Sequence, residues 1–262
     1  MKKYIALAVL AMTVASCTDD ASEEGVRQSV IEVSASVDAA TRAEAASMPS
    51  RCVVQVFNDD GTAYTGQGAR QVLELSGDGH TDFKVSVVTG RKYRLAFWAD
   101  SDNGAYDAAS LDGVKINAMP VDTYALPAAD NRYEAYSASM DVFAGEDGSR
   151  IAVALRRATC HVRLSATAAA KADGQLSVWF TCPAEYNVAD GTVSGSSLIR
   201  FGEAQVTAST LTDGFLECAL PAGNAESVAT VKWSLGGFDR DATFPLKRNY
   251  VMNVTGGFFS AG

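Results

Sequence analysis

The sequence predicts an all-β protein, two tandem β-sandwiches behind a lipoprotein signal peptide. Three observations predict it: apolar residues recur at every second position in many short runs, Gly, Asp, Asn and Pro signals separate those runs, and helical periodicity is scarce. Many short strands with regular turns point to sandwiches rather than to α/β layers. Strands on either side of about residue 150 are numerous enough for one sandwich each. The expected domains are therefore 26–150 and 151–262.

Residues 1–16 read as a signal peptide. Lys2 and Lys3 form a positive head, and Tyr4 to Val14 is mostly apolar but too short to span a bilayer. An ordinary secretory signal ends in small residues of the Ala-x-Ala type, whereas Val14-Ala15-Ser16 runs into Cys17. That is similar to the lipobox of a bacterial lipoprotein. It implies that Cys17 is acylated, with palmitate-type chains, and becomes the N-terminus. Two or more such chains anchor a protein stably, where one does not. Residues 17–25 follow as an acidic tether, Thr18-Asp19-Asp20-Ala21-Ser22-Glu23-Glu24, polar and poor in bulky groups. This run is similar to the export signal of Bacteroidales lipoproteins displayed on the outer face of the outer membrane. A solvated linker with no address is the alternative.

The remaining stretch of about 245 residues suffices for one large or two small domains. A hydrophobic content of 47% against 20% charged belongs to a globular chain. The net charge of -9 argues against nucleic acid and against adhesion to an anionic membrane surface. Besides Cys17, the chain has Cys52, Cys160, Cys182 and Cys218, each in an apolar context and none in a CxxC pair. Two disulfides or four buried thiols are both compatible with that spacing. No metal or other cofactor is expected.

Strand follows strand along the chain. Ile31, Val33, Ala35 and Val37 alternate with polar residues, and Ala39 to Ala46 is small and polar. Cys52 to Phe57 is a strand closed by Asn58-Asp59-Asp60-Gly61. Val72 to Leu75 is another. Phe83, Val85 and Val87 alternate up to Gly90, and Tyr93, Leu95 and Phe97 alternate after it, which predicts a hairpin. An acidic loop runs from Ser101 to Asp107, and Ser110 to Ile116 is a turn or short helix. Later strands are Ile151–Leu155, Cys160–Leu164, Leu176–Phe180, Phe215–Leu220, Val228–Leu235 and Tyr250–Thr255. Ala166 to Ala172 is the one good local helix former.

Two stretches carry a family resemblance. Phe83-Lys84-Val85-Ser86-Val87-Val88-Thr89-Gly90-Arg91-Lys92-Tyr93-Arg94-Leu95-Ala96-Phe97-Trp98-Ala99-Asp100 resembles the hairpin of fimbrillin-like surface lipoproteins of Bacteroidales. Ala154-Leu155-Arg156-Arg157-Ala158-Thr159-Cys160-His161-Val162-Arg163-Leu164 resembles the strand that links their two domains. With the lipobox and Tyr250-Val251-Met252-Asn253-Val254, the likeness spans most of the mature chain. It implies transthyretin-like, Greek-key sandwiches and a role as subunit, tip or anchor of type V pili, with other fimbrial subunits as partners. In such subunits a trypsin-like protease cuts after an arginine and removes the first strand. The vacated groove then takes a strand from the next subunit. Here the cut would fall between Arg42 and Ala43. The donor would be the last strand, with Tyr250, Met252 and Val254 on one face, or the tail Phe258-Phe259. The alternative makes Arg42 a loop arginine and Ile31–Val37 a permanent edge strand. An anchor or accessory role, with lipid and first strand retained, suits the short chain.

Enzyme signatures are lacking in the sequence. The two histidines are His80, in a turn, and His161, beside Cys160 on a strand, where neighbours point to opposite faces. No Gly-x-Ser-x-Gly elbow, His-Glu-x-x-His or phosphate-cradling loop occurs. Asp100 to Asp107 offers oxygen ligands around Gly104, but without the spacing and closing glutamate of a calcium loop. Trp98, Tyr106, Tyr133 and Tyr136 are either core or a sugar-stacking set. A non-catalytic fimbrial protein is the first expectation, and a surface lipoprotein that captures glycans or host ligands is the second.

Overall fold

A computed structural model of the chain describes residues 27–38, 48–171 and 173–260. Cys17, Arg42 and Ala43 lie outside them. The described residues form strands without an α-helix, in the order β1 Gln28–Val37, β2 Arg51–Asn58, β3 Arg70–Glu74, β4 His80–Val88, β5 Lys92–Asp100, β6 Tyr106–Asp107, β7 Val114–Ile116, β8 Asp122–Tyr124, β9 Ala128–Asp130, β10 Ala135–Phe143 and β11 Ser149–Arg157. Then come β12 Thr159–Ala166, β13 Gly174–Cys182, β14 Glu185–Asn187, β15 Thr192–Ser194, β16 Ser197–Val206, β17 Leu216–Pro221, β18 Ser227–Leu235, β19 Phe238–Leu246 and β20 Val251–Gly256.

The first sheet has the order β3-β2-β5-β10-β11-β1-β4. It folds over at the short β10–β11 pairing, Tyr136 opposite Arg157 and Ser137 opposite Arg156. The β4-β1-β11 layer thus faces β3-β2-β5-β10 across a core of Ile31, Val33, Val54, Val56, Phe83, Val85, Leu95 and Phe97. The expected hairpin at Gly90 is not one: β4 pairs with β1, whereas β5 pairs with β2 and β10. The chain arches from one layer to the other at Gly90, whose φ of 78° is open to glycine. Phe83 and Phe97 meet across the core, ring centroids 6.1 Å apart.

Most later strands make two facing sheets, β20-β12-β17-β9 and β19-β18-β13-β16-β8. Val162, Leu164, Cys218 and Leu220 of one meet Leu176, Val178, Phe180, Val231 and Trp233 of the other. The excursion between β5 and β10 does not stay with the first layer pair. Its β8 pairs in parallel with β16 and its β9 with β17, whereas β7 pairs antiparallel with β14. Arg132 fixes this crossing: it reaches both carboxylate oxygens of Asp130, the Tyr124 hydroxyl at 2.8 Å and the Phe201 carbonyl at 3.1 Å. Ala166 ends β12 and Thr167 to Lys171 is bends and coil, with Ala170 buried in the second core. So short a run cannot offset helix nucleation, and packing decides its path.

Candidate functional site

The first strand is where sequence pattern and sheet geometry converge. Along β1, Ile31, Val33, Ala35 and Val37 are at most 1% exposed while their neighbours face outward. β1 is not an edge strand. Gln28 to Ser36 pair antiparallel with β4 and Ile31 to Val37 pair in parallel with β11. The reading as a permanent edge strand is thus corrected, because both hydrogen-bonding sides are occupied.

On the outer face charges and hydroxyls tie β1 to its neighbours. Glu32 sits directly opposite both Arg150 and Lys84 in register, with ion-pair distances of 2.7 and 3.2 Å. These two cations hold the Glu32 carboxyl below its ordinary range. Ser34 Oγ lies 2.7 Å from His80 Nε2. Where β11 begins, Gly148 (φ 72°) passes so close to Val30 that a Cβ would lie 2.7 Å from its carbonyl oxygen. Burial of Ile31, Val33 and Val37 stabilises the strand by roughly 5–9 kcal/mol at about 1.5–3 kcal/mol each. By sequence, Arg42 and Ala43 fall between Asp38 at the end of β1 and Met48.

At the other end, β20 is the edge of its sheet and runs parallel to β12, from His161 opposite Val251 to Ala166 opposite Gly256. Val254 is buried, Met252 packs on the core, and Tyr250 is exposed beneath the Lys247 ammonium. The tail does not hang free. Phe258 and Phe259 are buried against Phe215, and Phe258 stacks on Trp233 with centroids 4.4 Å apart. They fill their own core.

Sequence reasoning missed the joint between the two layer pairs. Arg157 Nε donates to Glu134 Oε1 at 2.7 Å, and Glu134 Oε2 lies 3.0 Å from His161 Nε2. Arg248 donates to the carbonyls of Arg156 and Arg157 at 3.0 Å each and to the Tyr186 hydroxyl at 2.8 Å. Arg156-Arg157 is visible in the sequence, but nothing local pairs it with Glu134 or Arg248.

The other candidates resolve plainly. Trp98, Tyr106, Tyr133 and Tyr136 are all buried, so none can stack on a sugar. Trp98 packs edge-on against Tyr106, and Tyr106 against Tyr133. In the acidic loop, Asp100 is buried and accepts from Arg51, Trp98 Nε1 and the Asp102 amide. Its oxygens are already committed. Cys52, Cys160, Cys182 and Cys218 are free, buried thiols. Burial pushes Cys52 and Cys182 up to about 12. The Cys160 thiol points to the backbone carbonyl of His161, whose ring faces Glu134, so the pair is no nucleophile and base.

The all-β fold has counterparts among solved structures. A candidate polysaccharide-binding protein of Bacteroides thetaiotaomicron is similar over 80% of this chain and 78% of its own, at 12% identity and TM-score 0.50. The fimbrial anchor protein Mfa2 of Porphyromonas gingivalis is similar over 82% of each chain, at 14% identity and TM-score 0.49. A fimbrial assembly protein of Parabacteroides distasonis covers 86% of this chain and 90% of its own, at 11% identity and TM-score 0.44. No curated protein matches by sequence. From residue 22 to residue 262 the chain matches the profile of DUF6562, a family of unknown function, and it belongs to that family.

Proposed function

We propose that this chain is a non-catalytic, cell-surface lipoprotein of a fimbrial assembly, acting as anchor, accessory or structural subunit and joined to its partners by β-strand addition. In this reading residues 1–16 are removed, Cys17 carries the lipid in the outer membrane, and 17–25 tether two sandwich domains. The observation that carries it is β1 itself. It is a strand with one apolar face, held between β4 and β11, and followed in sequence, five residues after Val37, by Arg42.

Without β1, β4 and β11 would each present unpaired backbone groups, with holes between them lined by Phe83, Val85 and Leu155. A strand with apolar residues at alternate positions would refill both. Because β1 is buried by several kcal/mol, cutting after Arg42 alone does not release it. An incoming strand must displace it step by step. A donor role for Tyr250, Met252 and Val254 also has a condition: β20 must first leave β12. Retention of β1 leaves the anchor or accessory role.

N-terminal sequencing and intact mass of the protein from its native cell surface test this. A lipid-free chain starting at Ala43 identifies a polymerising subunit. A chain starting at acylated Cys17 identifies an anchor or accessory protein. A soluble, unlipidated chain that still carries β1 sinks the proposal.

A further inference from the structure

One outward position in the second sandwich breaks the polar-out pattern of its strand. On β13 the row facing solvent is Gln175, Ser177, Trp179 and Thr181, and Trp179 is only half-buried. The other two tryptophans of the chain, Trp98 and Trp233, are no more than 5% exposed. A β-bulge in β16 sets Arg200 opposite this ring. The register between β13 and β16 slips after Val178, so that Gly202 faces Val178 and Arg200 faces Trp179, with Phe201 as the extra residue. Such bulges re-aim side chains, often beside functional sites. Glycine is required there: a Cβ on Gly202 (φ 156°) would lie 2.3 Å from the Asp122 carbonyl oxygen.

Beside Trp179 lies a cleft of about 380 Å³, formed with Leu198, Lys232, Trp233, Asp239, Arg240 and Asp241. Lys232 stands opposite Trp179 in register, and Asp241 opposite Lys232. Leu198 is 55% exposed, so an apolar wall and an indole adjoin a row of charged side chains. Arg200 rests over the indole, 5.6 Å from its centroid, outside the cleft lining, and is itself paired with Glu203. The ring is thereby held from one side.

The charges decide the ligand class. On the face of Trp179 Lys232 stands among Asp239 and Asp241, while Arg240 pairs with inward Trp233 and reaches Gly257 on the other face, so the two carboxylates turn away an anionic ligand. What remains is a flat aromatic surface beside donors and acceptors that alternate in sign. That set matches a molecule with apolar C–H faces and rows of hydroxyls, each both donor and acceptor. The volume lies at the lower end for small-ligand sites and opens along the sheet, which suits one residue of a longer chain. We propose that the Trp179 cleft binds an uncharged polysaccharide, one sugar ring stacked on the indole and its hydroxyls held by Asp239, Asp241 and Lys232. The cleft is formed by β13, β16, β18 and β19, so this inference does not depend on lipidation, on cleavage at Arg42 or on strand exchange.

The test uses tryptophan fluorescence of the full chain in detergent, titrated with neutral glucan, mannan and galactan, followed by an array of neutral and acidic glycans. Trp233 also lines the cleft, so the part of a ligand-dependent change that Trp179→Tyr removes is the part assigned to Trp179. The expected result is saturable binding to at least one neutral glycan. Trp179→Ala should weaken it at least tenfold, Trp179→Tyr less, and Asp241→Asn several-fold, with unfolding midpoints near the parent's. Absence of binding to any neutral glycan by a folded chain overturns the proposal. So does binding that Trp179→Ala leaves intact, a preference for acidic polymers, or self-association that Trp179→Ala abolishes, which would make a second copy the occupant.

Discussion

Glu134 and Arg157 form an ion pair with side chains only 1% and 4% exposed, at the point where β11 gives way to β12. The pair ties the loop before β10 to the end of β11, while His161 contacts the second carboxylate oxygen. Removing one partner of such a pair strands the other without water. Glu134→Ala should therefore destabilise the protein by about 3–5 kcal/mol, and Glu134→Gln, which keeps an acceptor for Arg157, by less. Chemical denaturation of the three proteins checks both the size and the order. Equal losses for Ala and Gln would mean that the charge is irrelevant at the joint.

The two faces of β1 should respond differently to truncation. Ile31 is fully buried between the layers, and Ile31→Ala should cost about 2–5 kcal/mol. Val30, one residue away and 45% exposed, should lose no more than about 0.5 kcal/mol as Val30→Ala. Denaturation midpoints in both variants measure the contrast. A reversed order would place the strand one residue out of register.

The alternation of β1 was legible because only one of its faces is buried in the core, and the same holds for β12 and β13. β5 reads differently: Leu95-Ala96-Phe97-Trp98-Ala99 is a continuous apolar run. Its Leu95 and Phe97 serve one core while Ala96 and Trp98 serve the other, and a strand buried on both faces loses its period. β6 to β9 were not legible, since strands of two or three residues carry no period and gain their stability from partners far along the chain. The arch at Gly90 was read as a hairpin because alternation on both sides of a glycine fits either connection. The outward direction of Trp179 follows from the alternation of Leu176, Val178 and Phe180, but nothing in the spacing brings Leu198, Lys232 and Asp241 beside it.

Acid should loosen β1 through Glu32. Its carboxyl is held low by Arg150 and Lys84, the hydrogen bond to Arg150 being the largest contribution. A depressed folded-state value means that the stabilisation is present above the unfolded value, about 4.3, and disappears as pH falls through the folded one. Stability of the parent should therefore drop more steeply below about pH 4.5 than that of Glu32→Gln. Asp60 and Asp141 are lowered as well, by Thr62 and by Arg94, so the difference between the two curves, not either curve alone, isolates Glu32. Parallel curves would remove Glu32 from the clamp.

The thiols give the last expectation. A thiol reacts as its thiolate, and burial raises Cys52, Cys160, Cys182 and Cys218 above the ordinary value, Cys52 and Cys182 to about 12. At pH 8 nearly all of each is then neutral as well as shielded. In a Cys17→Ser chain, a thiol-reactive dye should label the native protein only at the rate at which it opens. The same dye should find all four thiols at once in guanidinium. Fewer than four in denaturant would reveal a disulfide, which contradicts the free, buried state of the four cysteines. Rapid labelling of the native chain would show that a core between these sheets is open to solvent, and the position labelled would say which.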